Sequence, residues 1–318
     1  MENTKYCQFC DNDSRVKEVS ILGKKVPVKN YICSADGVNY RIKTDPVRLQ
    51  LIVCPLSFCP AACPFCLATN TGRKYRIDTA KFEKTMRKLK GEDRVRGVKI
   101  TGGEPFYDIP LLNEVISILF DVFGLSLEVS VSTNGIGLRE LHKLKDLEYL
   151  DAIHISRHHY DDKINRGLFG GAAVPDAKEL KEAIDSVSFK DIFVLNCMLL
   201  KDYINSAEEA HRFLDFAIDI GAPKVGFMVC TPVNKYAKEQ TIPFESVIRE
   251  GDETLLFTRG FYDFDYCHCR DGVYASPDGR IIEFYGRDTA ECSVPYARAL
   301  VYDYDDHLKI GFGGEIIE

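Results

Sequence analysis

The sequence predicts an α/β fold: a partial (βα)6 barrel of the TIM type with Cys-containing extensions at both ends. Three observations predict it. Short apolar runs alternate with amphipathic helical stretches through the middle of the chain. One helix carries both a start and a stop signal. Polar motifs also recur where the strands end, the edge at which parallel α/β sheets gather ligands.

The elements follow in order. Leu49 to Cys54 is a short apolar run that reads as a buried strand. Phe82, Met86 and Leu89 repeat at helical spacing. Val98-Lys99-Ile100 is a strand that stops at Thr101-Gly102-Gly103. Residues 110–123 form an apolar helix, and Leu127 to Val131 and Tyr149 to Ser156 are strands. Leu180, Ala183, Ile184 and Val187 share one helical face, and Ile192 to Leu200 is the next strand. Ser206 and Glu209 read as a capping box; Ala210, Phe213, Leu214, Ala217 and Ile218 form the stripe, and Gly221 is the stop. Val225 to Cys230 is a sixth strand. Six units are too few to close a barrel, so an open one is expected. Beyond residue 236 the rhythm stops, and residues 271–284 read as a hairpin turning at Asp278-Gly279. The expected organisation is an extension over 1–48, the barrel over 49–235 and a C-terminal module over 236–318.

Composition narrows the function. The chain has 318 residues, 45% hydrophobic and 28% charged, which suits a soluble globule rather than a disordered chain. A net charge of −7 lacks the basic footprint of a nucleic-acid binder and disfavours RNA as substrate. No apolar run reaches the roughly 18–20 residues of a membrane span. The 12 cysteines are the anomaly. Met1-Glu2-Asn3-Thr4-Lys5 has no apolar signal core, and disulfide frameworks serve mainly small domains. The expectation is a cytoplasmic protein whose cysteines bind metal.

Cys59, Cys63 and Cys66 lie within eight residues, directly after the first buried strand. A single loop wraps three thiolates around one metal centre. Three is one fewer than completes a protein-bound [4Fe–4S] cube, so one iron stays open to a small ligand; a zinc knuckle borrowing a fourth ligand is the competing reading. Thr101-Gly102-Gly103-Glu104-Pro105 ends the second strand on the same edge. Its glycines allow close backbone approach, and its carboxylate suits an ammonium group.

The C-x3-C-x2-C loop with Phe65 before its last cysteine, followed by Gly-Gly-Glu one unit later, resembles the radical S-adenosylmethionine (SAM) superfamily over roughly residues 49–235. The resemblance implies a [4Fe–4S] cluster on Cys59, Cys63 and Cys66, with SAM chelated to the open iron. It implies reductive cleavage of SAM to a 5′-deoxyadenosyl radical that abstracts hydrogen from substrate, in an oxidoreductase or lyase. It further implies adenine contacts near Phe65, contacts from Gly102, Gly103 and Glu104 to the methionine amino end, and a reductant such as flavodoxin or ferredoxin.

Other strand ends supply polar groups. Ser132-Thr133-Asn134-Gly135 suits ribose oxygens and equally suits a plain turn. Ser156 and Arg157 suit the SAM carboxylate or a substrate anion, with a surface ion pair as the alternative for Arg157. Asn196 faces either ligand or a buried partner. His154, His158, His159 and Tyr160 follow the same edge; Arg157, His158 and Tyr160 are the candidate catalytic residues.

Cys54, Cys197 and Cys230 lie in apolar strands and read as core residues. The other six form two triplets, Cys7-x2-Cys10-x22-Cys33 and Cys267-x-Cys269-x22-Cys292. They hold an auxiliary iron–sulfur cluster, or a zinc or iron–sulfur centre shared by the two chain ends, or nothing. The C-terminal triplet resembles in position the auxiliary modules of twitch and SPASM enzymes and of the molybdenum-cofactor cyclase, though not in spacing. The substrate is a peptide or a small molecule such as a nucleotide. A zinc-binding interaction protein is the non-enzymatic alternative.

Overall fold

Hairpins precede the barrel units in the chain and pack at its margins. The computed structural model describes residues 16–29, 31–34, 41–42, 47–66, 75–249, 251–262, 268–288 and 297–318; for residues 29, 31–34, 41–42, 257–262, 268–271 and 287–288 it describes the backbone alone. β1 (Val16–Ile21) and β2 (Lys24–Lys29) form an antiparallel hairpin, followed by β3 (Tyr31–Ser34) and β4 (Arg41–Ile42). The barrel follows as β5 (Leu49–Val53), α1 (Thr79–Glu92), β6 (Val95–Ile100), α2 (Ile109–Phe123), β7 (Glu128–Thr133), β8 (Ala152–Ser156), α3 (Asp162–Leu168), α4 (Ala177–Asp185), β9 (Phe193–Leu199), α5 (Ala207–Asp219), β10 (Lys224–Val229) and α6 (Lys235–Gln240). The chain ends with β11 (Leu255–Tyr262), β12 (His268–Ala275), β13 (Ile281–Asp288), β14 (Ala299–Tyr302) and β15 (Leu308–Ile310).

The main sheet runs β15-β14-β5-β6-β7-β8-β9-β10-β13-β12-β11-β3-β4. Pairing is parallel from β14 through β5 to β10 and on to β13. The remaining pairs are antiparallel. The six expected barrel strands are therefore present in the expected order. The C-terminal residues do more than cover them. β14 pairs with β5 and β13 with β10, so each open edge of the six is extended by a strand from beyond residue 236. An unpaired edge exposes a row of backbone donors and acceptors, and these strands satisfy it. β12 and β13 are the expected hairpin, turning through Ser276 to Arg280.

Side-chain parity divides the sheet into two faces. Leu51, Val53, Val98, Ile100, Val129, Val131, Ile153, Ile155, Leu195, Val225 and Phe227 are buried and belong to one core with Phe82, Met86, Leu112, Val115, Leu180, Ile184, Phe213 and Leu214 of the helices. The alternate residues Gln50, Lys99, Ser130, Ser132, His154, Ser156 and Asn196 are half-buried and line the inner face. A register irregularity between Leu49 and Gln50 shifts the pairing with β6, so Arg96 and Lys99 are both half-buried.

Helix ends follow local chemistry. Asp78, Asp108, Asp161, Ser206 and Asn234 each accept a backbone N–H as N-caps, worth about 1 kcal/mol each. Only half of the capping box expected at Ser206 and Glu209 forms. Ser206 accepts from Glu209 N at 3.3 Å, while the Glu209 carboxylate is engaged by Tyr160 and Arg212. The reciprocal box lies instead at Asp176 and Glu179 of α4. Gly221, at φ 76°, ends α5 as expected. Among the described residues no helix is long and apolar enough to cross a membrane.

Candidate cofactor site at the strand ends

The cysteine loop leaves β5 and is fixed by backbone contacts. Cys54 N donates to Tyr302 O, and Ser57 N to Tyr75 O, at 2.8 and 2.9 Å. Ala62 N donates to Phe169 O at 3.1 Å, and Asn234 Nδ2 to Pro64 O at 3.0 Å. Cys59 and Cys63 are half-buried and Cys66 is exposed. Burial pushes the Cys63 thiol up to about 12, and the nearby Cys66 and Cys59 push in the same direction. Cys59 is also raised, first by burial. Neighbouring sulfurs thus oppose the ionisation of Cys59 and Cys63, and a cationic metal centre bound there would reverse that opposition. Among the described residues no three His, Cys, Asp or Glu side chains form a ready site for a single metal ion.

The Gly-Gly-Glu segment is joined to this loop by backbone contact. Gly103 N donates to Leu56 O and Glu104 N to Phe58 O, both at 2.8 Å. A Cβ on Gly103 would lie 2.1 Å from Phe58 O, and Gly102 has φ +110°. The glycines are therefore needed for two backbones to pack together.

Glu104 departs from its expected role. Its carboxylate is 1% exposed and accepts from Phe106 N at 3.0 Å, Thr133 Oγ1 at 2.6 Å and Asn134 N at 2.7 Å. Burial pushes it up to about 7, against the pull of those three donors. It ties the end of β6 to the end of β7 rather than projecting as a free ammonium acceptor. Thr133 is likewise committed, since its hydroxyl also accepts from Gly135 N at 3.0 Å. Ser132 differs: its Oγ is buried and has no hydrogen-bond partner among the described residues. An orphaned hydroxyl on the inner face fits a ligand oxygen such as those of ribose.

The candidate catalytic residues after β8 are placed elsewhere. Arg157 is 1% exposed. Its guanidinium donates to the carbonyls of His159, Pro175 and Tyr160 at 2.7, 3.1 and 3.0 Å and pairs with Asp162 at 2.5 Å. It also lies over the Phe216 ring at 4.9 Å. Its donors are spent on bracing the loop, not offered to an anion. His158 is buried between Phe65, edge-on at 5.1 Å, and Phe169, stacked at 5.0 Å. Its Nδ1 accepts from Met198 N at 3.2 Å, and burial lowers it to about 3, so the ring is neutral. It supports the wall behind Phe65 and does not serve as an acid or base. Tyr160 donates to Glu209 at 2.9 Å, on the helix side of the sheet. Strand parity explains Arg157, which follows the inward-facing Ser156; His158 and Tyr160 lie beyond the end of β8 and are turned by the loop's own hydrogen bonds.

Asn196 has a hydrogen-bond partner, as one of its two readings allowed, and that partner comes from β13. Tyr285 of β13 donates to Asn196 Oδ1 at 2.8 Å, and its hydroxyl is 3.4 Å from His154 Nδ1. Gly226 lies between them on β10; a Cβ there would lie 2.4 Å from Tyr285 Cζ. Toward the strand starts, a cavity of about 220 Å³ is lined by Gln50, Arg96, Ser130, Asp151 and His154 among others. Lys99 and Ser130 alternate with buried apolar neighbours and were legible as polar strand positions; Arg96, three residues before Lys99, was not, because a register irregularity half-buries it. Tyr285 was not, because its pairing with the barrel is long-range. Cys7, Cys10, Cys267 and Cys292 lie outside the described residues, and Cys33 and Cys269 are described in backbone only.

The chain is similar to known proteins over the same region. A probable GTP 3′,8-cyclase of Sulfurisphaera tokodaii is 31% identical over 177 residues, 55% of this chain and 54% of that protein. Another of Sulfolobus acidocaldarius is 34% identical over 142 residues, 44% and 42% of the two chains. The chain thus spans about half the length of the relatives it matches. Among solved structures, Streptococcus suis SuiB bound to S-adenosylmethionine aligns with TM-score 0.48 and 20% identity, covering 62% of this chain and 44% of that one. A radical SAM methyltransferase from Sphaerobacter thermophilus aligns with TM-score 0.46 and 14% identity, covering 69% and 68%. The family described as the radical SAM superfamily matches residues 53–230, over half of the chain and the whole run from cysteine loop to β10. By that match, this chain belongs to the radical SAM superfamily.

Proposed function

We propose that this protein reductively cleaves SAM and directs the resulting radical at a small polar substrate held on the inner face of the barrel. Family membership brings a [4Fe–4S] cluster and SAM as cofactors. When bound, they supply a 5′-deoxyadenosyl radical able to abstract a substrate hydrogen. Cys59, Cys63 and Cys66 hold the cluster. Phe65, Gly102, Gly103, Ser132, Ser156 and Asn196 surround SAM at the strand ends, and the orphaned Ser132 hydroxyl is the observation that carries this placement. The half-buried polar inner face supports a hydrogen-bonding substrate. The relatives described as GTP 3′,8-cyclases make a nucleoside triphosphate the first candidate. The reaction is of oxidoreductase or lyase type, in the cytoplasm, with flavodoxin or ferredoxin as electron donor.

The six flanking cysteines, Cys7, Cys10, Cys33, Cys267, Cys269 and Cys292, hold a second metal centre shared by the chain ends. The backbone register supports this reading: β11 pairs with β3 and β12, with Tyr262 opposite Cys33 and Phe261 opposite Cys269.

One experiment tests both assignments. Anaerobically reconstituted protein with a strong reductant should convert SAM to 5′-deoxyadenosine, and added GTP should raise that rate. Replacing Cys59, Cys63 and Cys66 together by Ala should abolish cleavage and leave only the flanking metal. Cleavage that persists in this variant overturns the cluster assignment. GTP without effect removes it as the substrate candidate.

A further inference from the structure

Asn134 stands where the two motifs of the site meet, and its side-chain orientation is fixed. Its Oδ1 accepts from Ile136 N at 3.0 Å, closing the turn after β7. Its own N–H is held by Glu104 at 2.7 Å. With the oxygen occupied by a backbone donor, the amide cannot flip, and the NH2 group faces the Sγ of Cys59 at 3.4 Å. The residue is 7% exposed, so little water competes for its amide group. Glu104 in turn is anchored to Phe58 through its own backbone N–H at 2.8 Å. Glu104, Asn134 and Cys59 therefore form a continuous chain from the Gly-Gly-Glu segment to one cysteine of the loop.

We infer that Asn134 is a hydrogen-bond donor to the Cys59 ligand of the cluster and raises its reduction potential, with Glu104 as the residue that positions it. The inference rests on the cluster assignment above. Adding an electron increases negative charge on the cluster and its thiolate corners. An N–H aimed at one of them stabilises the reduced state more than the oxidised one. Asn134 is thus set apart from Ser132, two residues earlier, which faces ligand: Asn134 acts on the protein's own cysteine.

Redox titration of the reconstituted cluster by electron paramagnetic resonance, without SAM, tests the inference. Asn134→Ala should shift the midpoint to more negative potential at unchanged iron and sulfide content. Asn134→Asp keeps an acceptor for Ile136 N but replaces the donor with negative charge, and should shift it further. A fully loaded variant pair with the wild-type midpoint overturns the inference while leaving the cluster assignment standing. Should the variants fail to load, the wild-type protein labelled with 15N-asparagine decides. A nitrogen hyperfine coupling to the reduced cluster supports the contact, and its absence overturns it. Wild-type protein that takes up no cluster overturns the underlying assignment as well.

Discussion

Two strand-end regions of this molecule are both rich in polar side chains and do opposite things. After β6 and β7, Glu104, Thr133 and Asn134 bond to one another and converge on Cys59. After β8, Arg157, His158 and Tyr160 bond away from the inner face, to carbonyls, a backbone N–H and a helix carboxylate. The first region builds the site; the second builds the wall that carries Phe65. A charged or aromatic residue at a strand end is therefore not a site residue by position alone. The partners that the loop after the strand brings within reach decide which way its donors are spent.

The comparison breaks most readily at Arg157. Arg157→Ala leaves two buried carbonyls and one part-buried carbonyl without their donor and should destabilise the protein by about 3 kcal/mol, read as a lowered urea midpoint. SAM affinity per folded molecule should stay within about twofold of wild type. A large loss of affinity at unchanged stability would return Arg157 to the cofactor.

Glu104 sharpens the comparison through pH. Its folded-state carboxyl, near 7, lies above the ordinary value of 4.5. The folded state therefore holds this proton more tightly. Stability from this group is full below about 4.5, falls as pH rises, and levels off above about 7. The full difference amounts to about 3 kcal/mol at most. Urea unfolding of wild type and Glu104→Gln across pH 5–8 should show that slope in wild type and its loss in the variant.

The smallest effect is expected at Tyr285. Tyr285→Phe removes one hydroxyl and one hydrogen bond to Asn196, at about 1 kcal/mol. Cluster content and substrate-free SAM cleavage should be unchanged. Substrate-stimulated cleavage should fall severalfold if β13 lines the substrate chamber, and a variant with wild-type stimulation would place the substrate elsewhere.

Much of this was legible in the residues. The alternation of elements, the stops at Gly221 and the hairpin turn at Asp278-Gly279 are local signals, because caps and turns are satisfied within a few residues of themselves. The inner and outer faces follow from period-two spacing, and Ser132 and Asn196 lie on the inner face where the sequence allowed. Glu104 was legible as important but not in its role, since its three donors come from two segments up to thirty residues away.

The sequence by itself determined the βα rhythm, the three-cysteine loop and the Gly-Gly-Glu segment one unit later, because each is written in contiguous residues. Only the tertiary structure decided that strands from beyond residue 236 extend both edges of the barrel, that Tyr285 reaches Asn196 across Gly226, and that Asn134 meets Cys59. These are pairings between distant parts of the chain. They depend on register and close approach, to which local periodicity is blind.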